Sequence, residues 1–326
     1  MTDGSEIVAT RRGVLGLVTL ERPAALNALT TAMVEAIDAA LTGFEADPGV
    51  HAIVLRSAST RAFCAGGDMR RIRALCLAGD FDGAERFFAA EFALNRRLAG
   101  LDRPIVALVD GICMGGGLGL SVHGRFRVAT EHAVFAMPET ALGYFPDVGG
   151  SHFLPRLPAG LGRWLGLTGA RLDGAESVAL GLATHLVPRE RIGALLDALA
   201  SSGAGETCAA ILDRHAVPAR APRLEALAAD CAATFGVAGD RQALVEALQR
   251  QGGPFAAEAL AALARASPHS LDVTLALFAT GQWSSLAASL EHELAAARAI
   301  LRHPDFVEGV RAVLVDKTRE AHWQSI

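Results

Sequence analysis

Three adjoining stretches decide the fold class: Ala52-Ile53-Val54-Leu55-Arg56, then the segment from Ser57 to Gly67 with Phe63-Cys64-Ala65-Gly66-Gly67, then Met69 to Leu77. The first is a short β-branched run, hence a strand. The second is a loop of small residues, and the third reads as a helix. Working outward, Val14 to Leu20 reads as a strand. Asn27 to Glu45 carries Leu29, Met33, Ile37, Leu41 and Phe44 at helical spacing. Ala84 to Ala99 reads as another helix. Pro104 to Val109 is a strand whose proline stands at its start, where it costs no ladder bond. Gly115 to Gly124 is a glycine-rich helix, followed by brief strands at Arg125 to Ala129 and Ala133 to Met137. Strands alternating with helices predict an α/β fold with parallel pairing.

Beyond Pro188 the pattern changes. Ile192 to Leu199, Leu224 to Phe235, Gln242 to Gln249, Ala256 to Ala266 and Leu286 to Leu301 suit alanine-rich amphipathic helices, separated by Pro and Gly clusters. The expected organisation is an α/β core over residues 1–190 and a helical region over residues 191–326. No repeat of fixed period stands out.

The 326 residues are 51% hydrophobic and 20% charged, enough to bury a large core and too apolar for general disorder. The net charge of −5, with no basic run, argues against nucleic acid as the main ligand. Lys317 is the only lysine and follows Asp316, which excludes a Gly-Lys-Ser/Thr phosphate loop. The early apolar run Gly13 to Leu20 ends at Glu21 and Arg22, too short to span a bilayer, so no membrane association is expected. Five scattered cysteines form no Cys-x-x-Cys pair; they read as reduced thiols of a cytoplasmic protein. The ten histidines do not cluster with cysteine, so no metal is expected.

Two glycine loops and one acidic loop stand out. In Cys64-Ala65-Gly66-Gly67-Asp68 the paired glycines allow a sharp turn, and the Gly67 N–H, at a helix start, can face an anion. The plainer alternative is a tight turn with Asp68 as helix cap. Gly115-Gly116-Gly117 opens an expected helix, where each glycine is about 1 kcal/mol worse than alanine. Close packing or a ligand against bare N–H groups must offset that cost. A dinucleotide fingerprint does not fit, since Leu120 and Val122 stand where glycine is needed, and His123 spoils a nucleophile elbow. In Met137-Pro138-Glu139 and Tyr144-Phe145-Pro146-Asp147, two carboxylates lie eight residues apart among aromatics, prolines and glycines. Such surroundings desolvate an acid and raise its pKa, as acid–base work requires; a solvated Glu139 and a helix-capping Asp147 are the alternative. Cys64 and Cys113 read as buried small hydrophobes.

Together, Phe63-Cys-Ala-Gly-Gly-Asp68, Met114-Gly-Gly-Gly117, Met137-Pro-Glu139 and the opening Glu21-Arg-Pro-Ala-Ala-Leu-Asn-Ala-Leu29 resemble the crotonase (enoyl-CoA hydratase/isomerase) superfamily. Phe135-Ala-Met-Pro-Glu-Thr-Ala-Leu-Gly-Tyr-Phe-Pro-Asp-Val-Gly-Gly150 and the stretches Ala266 to Leu271 and Asp305 to Lys317 are similar to one branch, the 3-hydroxyisobutyryl-CoA hydrolases. The resemblance implies a crotonase-type spiral of ββα turns, a helical C-terminal region forming trimer-type homo-oligomers, and acyl-CoA substrates with no separate cofactor.

It also implies an oxyanion hole made by the N–H groups of Gly67 and Gly116, with Gly66, Gly115 and Asp68 beside them on the substrate. Glu139 is the expected principal acid, attacking the thioester or activating water. Asp147 orients water or holds the substrate hydroxyl. Glu91 falls where the branch lines its pocket, although a solvated helix position is the plain alternative. Arg22 and Lys317 are candidates for the CoA phosphates. Hydratases of the superfamily carry a glutamate two residues after the triple glycine, where this chain has Gly119. That favours hydrolysis of 3-hydroxyisobutyryl-CoA, a step of valine breakdown. The alternatives are an enoyl-CoA hydratase, a dienoyl-CoA isomerase and a non-catalytic acyl-CoA binder.

Overall fold

The computed structural model describes residues 6–202 and 206–324. Ten strands form two sheets: β1 (Ile7–Arg12), β2 (Leu15–Leu20), β3 (Ala52–Ser57), β4 (Ala62–Cys64), β5 (Ile105–Val109), β6 (Ile112–Met114), β7 (Phe126–Ala129), β8 (Val134–Ala136), β9 (Leu172–Asp173) and β10 (His185–Leu186). The six-stranded sheet has the order β1-β2-β3-β5-β7-β10, and the four-stranded sheet the order β4-β6-β8-β9. From β3 on, strands of the first sheet are followed by one of the second and then by a helical turn: β3-β4 leads to α2 (Met69–Leu77), β5-β6 to α4 (Gly116–Val122), and β7-β8 to the 3-10 turn Glu139–Leu142. This is the expected ββα progression. The helix before β3 is α1 (Thr31–Ala46), and α3 (Phe81–Gly100) precedes β5.

Apart from the β1–β2 hairpin, the large sheet pairs in parallel, with Val54 opposite Val106 and Leu108 opposite Val128. Its central strands are apolar on both faces, as parallel strands covered on both sides must be. On one face Leu15, Leu17, Val54, Val106, Leu108 and Val128 pack with Leu195, Leu196 and Leu199 of the helix Ile192–Ala200 and with Ile211 and Leu212 of the helix Cys208–His215. Those strand residues recur at every second position, the period of a pleated strand.

The chain forms two compact units. One comprises Met1–Gly67, Ala93–Phe135 and Leu172–Ala221; the other comprises Asp68–Phe92, Ala136–Arg171 and Pro222–Ile326. They do not follow a single cut near residue 190, because each is assembled from three stretches. The sheets belong to the first unit, except Ala136 at the end of β8. Beyond Pro188 every regular element among the described residues is helical. In the second unit the helix Pro268–Gly281 is capped by Ser267 and the helix Leu286–Ile300 by Ser285, each side chain accepting an N–H three residues on.

Candidate active site

In the first unit, the two glycine loops leave the parallel neighbours β4 and β6, in which Cys64 lies opposite Cys113. Gly66 has φ +101°, and a Cβ there would stand 3.2 Å from the Met114 carbonyl oxygen and 3.5 Å from the Gly116 nitrogen. The loops therefore touch, and only glycine suits that position. A Cβ on Gly117 would meet the Cys64 carbonyl oxygen at 2.3 Å, so part of the glycine run serves close packing. Gly115 caps α4 with φ 49°, leaving Gly116 as its first residue.

The Ala65 N–H donates to the Leu26 carbonyl, and the Leu29 N–H to the Gly66 carbonyl. No hydrogen bond from the Gly67 or Gly116 N–H occurs among the described residues. Both amides remain available as donors. Cys64 and Cys113 are buried, and burial pushes the Cys113 thiol up to about 12, which keeps it un-ionised. The Arg22 guanidinium is engaged by Glu6 at 2.8 Å and by the Ala28 carbonyl at 2.8 Å, holding the turn before α1.

Among the described residues of the second unit five carboxylates are buried: Glu91 (2% exposed), Glu139 (4%), Asp147 (3%), Glu293 (0%) and Asp305 (1%), the last held by the Ser267 hydroxyl. Glu91 sits on α3 after Phe87 and Phe88. Glu139 opens a 3-10 turn, Glu139–Leu142, behind Pro138. Tyr144 stacks on Phe88 at 5.1 Å and on Phe145 at 4.5 Å, with Phe306 edge-on at 5.9 Å. Burial raises Glu91 and Glu139 to about 8, and the charge of Glu91 adds to the rise at Glu139. Asp147 is raised well above the ordinary carboxylate range by burial, then by Glu91, Glu139 and Glu293. One oxygen of Glu139 and one of Glu91 have no hydrogen-bond partner among the described residues. Neither Glu139 nor Glu91 is a solvated surface acid.

Asp68 caps α2, its side chain accepting the Arg71 N–H at 3.2 Å. Lys317 is exposed and enters no ion pair among the described residues. Glu293 was absent from the residues expected at the site. Leu290, Glu293, Ala297 and Ile300 form the buried stripe of their helix, a placement that the packing partner and not the spacing reveals.

A profile of the enoyl-CoA hydratase/isomerase family matches residues 15–325. The chain belongs to that family. The 3-hydroxyisobutyryl-CoA hydrolase, mitochondrial, of Xenopus tropicalis is 42% identical over 324 residues, covering 98% of this chain and 84% of the relative. The protein of the same name from Homo sapiens is 41% identical over 331 residues, with 99% and 85% covered. Among solved structures, an enoyl-CoA hydratase from Rhodobacter sphaeroides 2.4.1 superposes with TM-score 0.90 at 38% identity, covering 98% of this chain and 93% of that one. A carnitinyl-CoA dehydratase from Mycobacterium thermoresistibile gives TM-score 0.88 at 36% identity, with 95% and 90% covered.

The family membership agrees with the ββα progression and with the helical C-terminal region. The expected cytoplasmic location is corrected: the vertebrate relatives of this family member are named as mitochondrial proteins. Free thiols report a reducing milieu and do not distinguish one reducing compartment from another. No described helix is long and apolar enough to cross a membrane.

Proposed function

We propose that this protein hydrolyses an acyl-CoA thioester, 3-hydroxyisobutyryl-CoA, to 3-hydroxyisobutyrate and free CoA, a step of valine breakdown. The observation that carries the reading is the retention of buried Glu139 and Asp147 in a chain with Gly119 where hydrating relatives need a second glutamate. Adding water across a double bond needs two acid–base groups flanking one water. Breaking a thioester needs one strong base or nucleophile and a place for the carbonyl charge. Identity of about 40% over nearly the whole chain to proteins named 3-hydroxyisobutyryl-CoA hydrolase supports the same substrate.

In this reading Glu139 supplies the electron pair, by attacking the carbonyl carbon or by taking a proton from the attacking water. The C–O bond forms, negative charge develops on the carbonyl oxygen, and the C–S bond breaks to release the CoA thiolate, which takes up the proton given by the water. Where Glu139 is the nucleophile the acyl group is left on it as an anhydride, which that water then hydrolyses to the free acid and the Glu139 carboxylate. The free N–H groups of Gly67 and Gly116 stabilise that charge, each at about 3 kcal/mol by comparison with other oxyanion donors. Gly66, Gly115 and Asp68 shape the backbone beside those donors. Asp147 orients the water or holds the substrate hydroxyl, and Glu91 lines the acyl pocket. Arg22 is a weaker candidate for a CoA phosphate than Lys317, because its guanidinium is already engaged. A trimer-type homo-oligomer completes the proposal, and light scattering tests it.

The deciding experiment supplies 3-hydroxyisobutyryl-CoA and crotonyl-CoA and follows free thiol and loss of the enoyl chromophore together. Thiol release from the first with negligible hydration of the second is expected. Hydration without thiol release overturns the reading, and binding without either product makes the protein an acyl-CoA carrier.

A further inference from the structure

The proposed hydrolysis makes no use of Glu293, the most deeply buried carboxylate of the second unit. Its side chain meets the turn that follows Asp147. Glu293 Oε2 accepts the Gly149 N–H at 2.8 Å, and Oε1 accepts both the Ser151 N–H at 2.9 Å and the Ser151 hydroxyl at 2.6 Å. Three donors thus converge on two oxygens. That is the complement an ionised carboxylate wants, since it can only accept.

The turn it grips is strained. Val148 has φ 51°, a left-handed conformation that a β-branched residue adopts only under constraint, and Gly149 has φ 83°. The Asp147 carbonyl then accepts the Gly150 N–H at 2.7 Å, closing the turn. Two consecutive left-handed residues place Asp147 at one end of a turn whose other end is fastened to Glu293. Without that fastening the turn loses three hydrogen bonds that hold it against relaxation of Val148 toward negative φ, which would move Asp147 with it.

We infer that Glu293 is a positioning residue: by holding Gly149 and Ser151 it fixes the strained turn that presents Asp147. The inference rests on the reading of Asp147 as a group that works on the substrate. The charged groups that act on Asp147 are Glu91, Glu139 and Glu293. Of the basic groups beside the turn, His152 bonds the Ser284 carbonyl and Arg156 the carbonyls of His152, Gly281 and Ser284, and neither pairs with Glu293 among the described residues. Burial pushes the Glu293 carboxyl up to about 7 although its donors pull the other way.

A glutamine cannot replace this acid. Its oxygen can take the pair of Ser151 donors, but its NH2 group then faces the Gly149 N–H, donor against donor. The test is a double-mutant cycle on hydrolysis of 3-hydroxyisobutyryl-CoA, with Glu293→Gln, Asp147→Asn and the pair, alongside Ser151→Ala. In the single Glu293→Gln protein kcat should fall about tenfold or more, while KM changes little. In the Asp147→Asn background the same change should cost nothing further. Ser151→Ala removes one donor of three and should give a smaller loss in kcat, keeping the assay informative if Glu293→Gln does not fold.

Additive losses in the cycle, or a Glu293→Gln protein with parental kcat, overturn the inference. So does Ser151→Ala with parental kcat in the case where Glu293→Gln does not fold. If instead Asp147→Asn alone retains full activity, the role given to Asp147 is what fails. The two failures are therefore distinguishable.

Discussion

Glu91 and Glu139 are buried acids whose charges oppose one another: an ionised Glu91 makes ionisation of Glu139 harder, on top of the cost of burial. No basic group is among the causes that act on either. The pair thus holds a proton in the range where ordinary carboxylates have lost theirs.

If Glu139 must be ionised to act, kcat/KM should climb about tenfold per pH unit below the region of pH 8, the value to which its carboxyl is raised. Replacing Glu91 with glutamine removes the opposing charge, so the inflection should move to lower pH. The position of the limb is the readout, measured in the free enzyme's kcat/KM profile. An inflection that stays in place shows that Glu91 does not govern the ionisation of Glu139.

Stability should depend on pH with the sign of buried neutral acids. Folding lifts Glu91 and Glu139 from the ordinary 4.5 to about 8, so between those values the folded chain holds protons that the unfolded chain has released. The contribution is fully present below about pH 4.5 and is lost as pH rises through about 8. Thermal denaturation should therefore show a falling Tm from about pH 5 to about pH 8 that levels off above it. Glu91→Gln, which stays neutral, should flatten that slope and melt above the parent at the alkaline end. A parent Tm that rises over this range contradicts the assignment.

Glu139→Gln keeps size and polarity while removing charge and basicity. Its kcat should drop by about 10²–10⁴ with binding of the CoA ester retained. Asp147→Asn should be hurt less and should lose preference for substrates bearing a 3-hydroxyl. Steady-state kinetics with and without that hydroxyl separate the roles. A dead Asp147 variant beside a nearly intact Glu139 variant reverses them.

Gly116 is the first residue of α4, a position where proline fits because its missing N–H is not part of the helix. Gly116→Pro should thus fold, as circular dichroism can establish, while hydrolysis falls by at least ~100-fold. A folded variant with near-normal turnover places the oxyanion elsewhere.

The strands at 15–20 and 52–57 were legible because burial on both faces leaves apolar runs at Leu15–Val18 and Ala52–Leu55. β1 was not: beyond Ile7 and Val8 its side chains are exposed, and backbone pairing to β2 alone makes it a strand. β9 and β10 have two residues each, too few for any period. Asn27 lies inside a helical pattern, yet it and Leu26 are left-handed, and α1 waits for the Thr30 cap. Asn27 instead spends its amide on the Ser57 hydroxyl and the Phe63 carbonyl, a tertiary task that local spacing does not encode. Of the buried acids, Glu139 and Asp147 announced themselves by company, among proline, glycine and aromatics. Glu91 and Glu293 lie on amphipathic helices, where an acid on the apolar stripe and an acid at its margin look alike until the packing partner is known.

The hydrogen bond from Gly149 to Glu293 joins residues 144 positions apart. A ribosome adding about 5–20 residues per second makes the donor roughly 7–29 seconds before the acceptor exists. Through that interval the turn after Asp147 has two amides and a hydroxyl without this acceptor. A nascent chain that has passed β10 carries every strand of both sheets but not the acceptor for this turn. A stalled or truncated chain that ends before the helix Leu286–Ile300 carries both Glu139 and Asp147 and still lacks the acceptor for that turn.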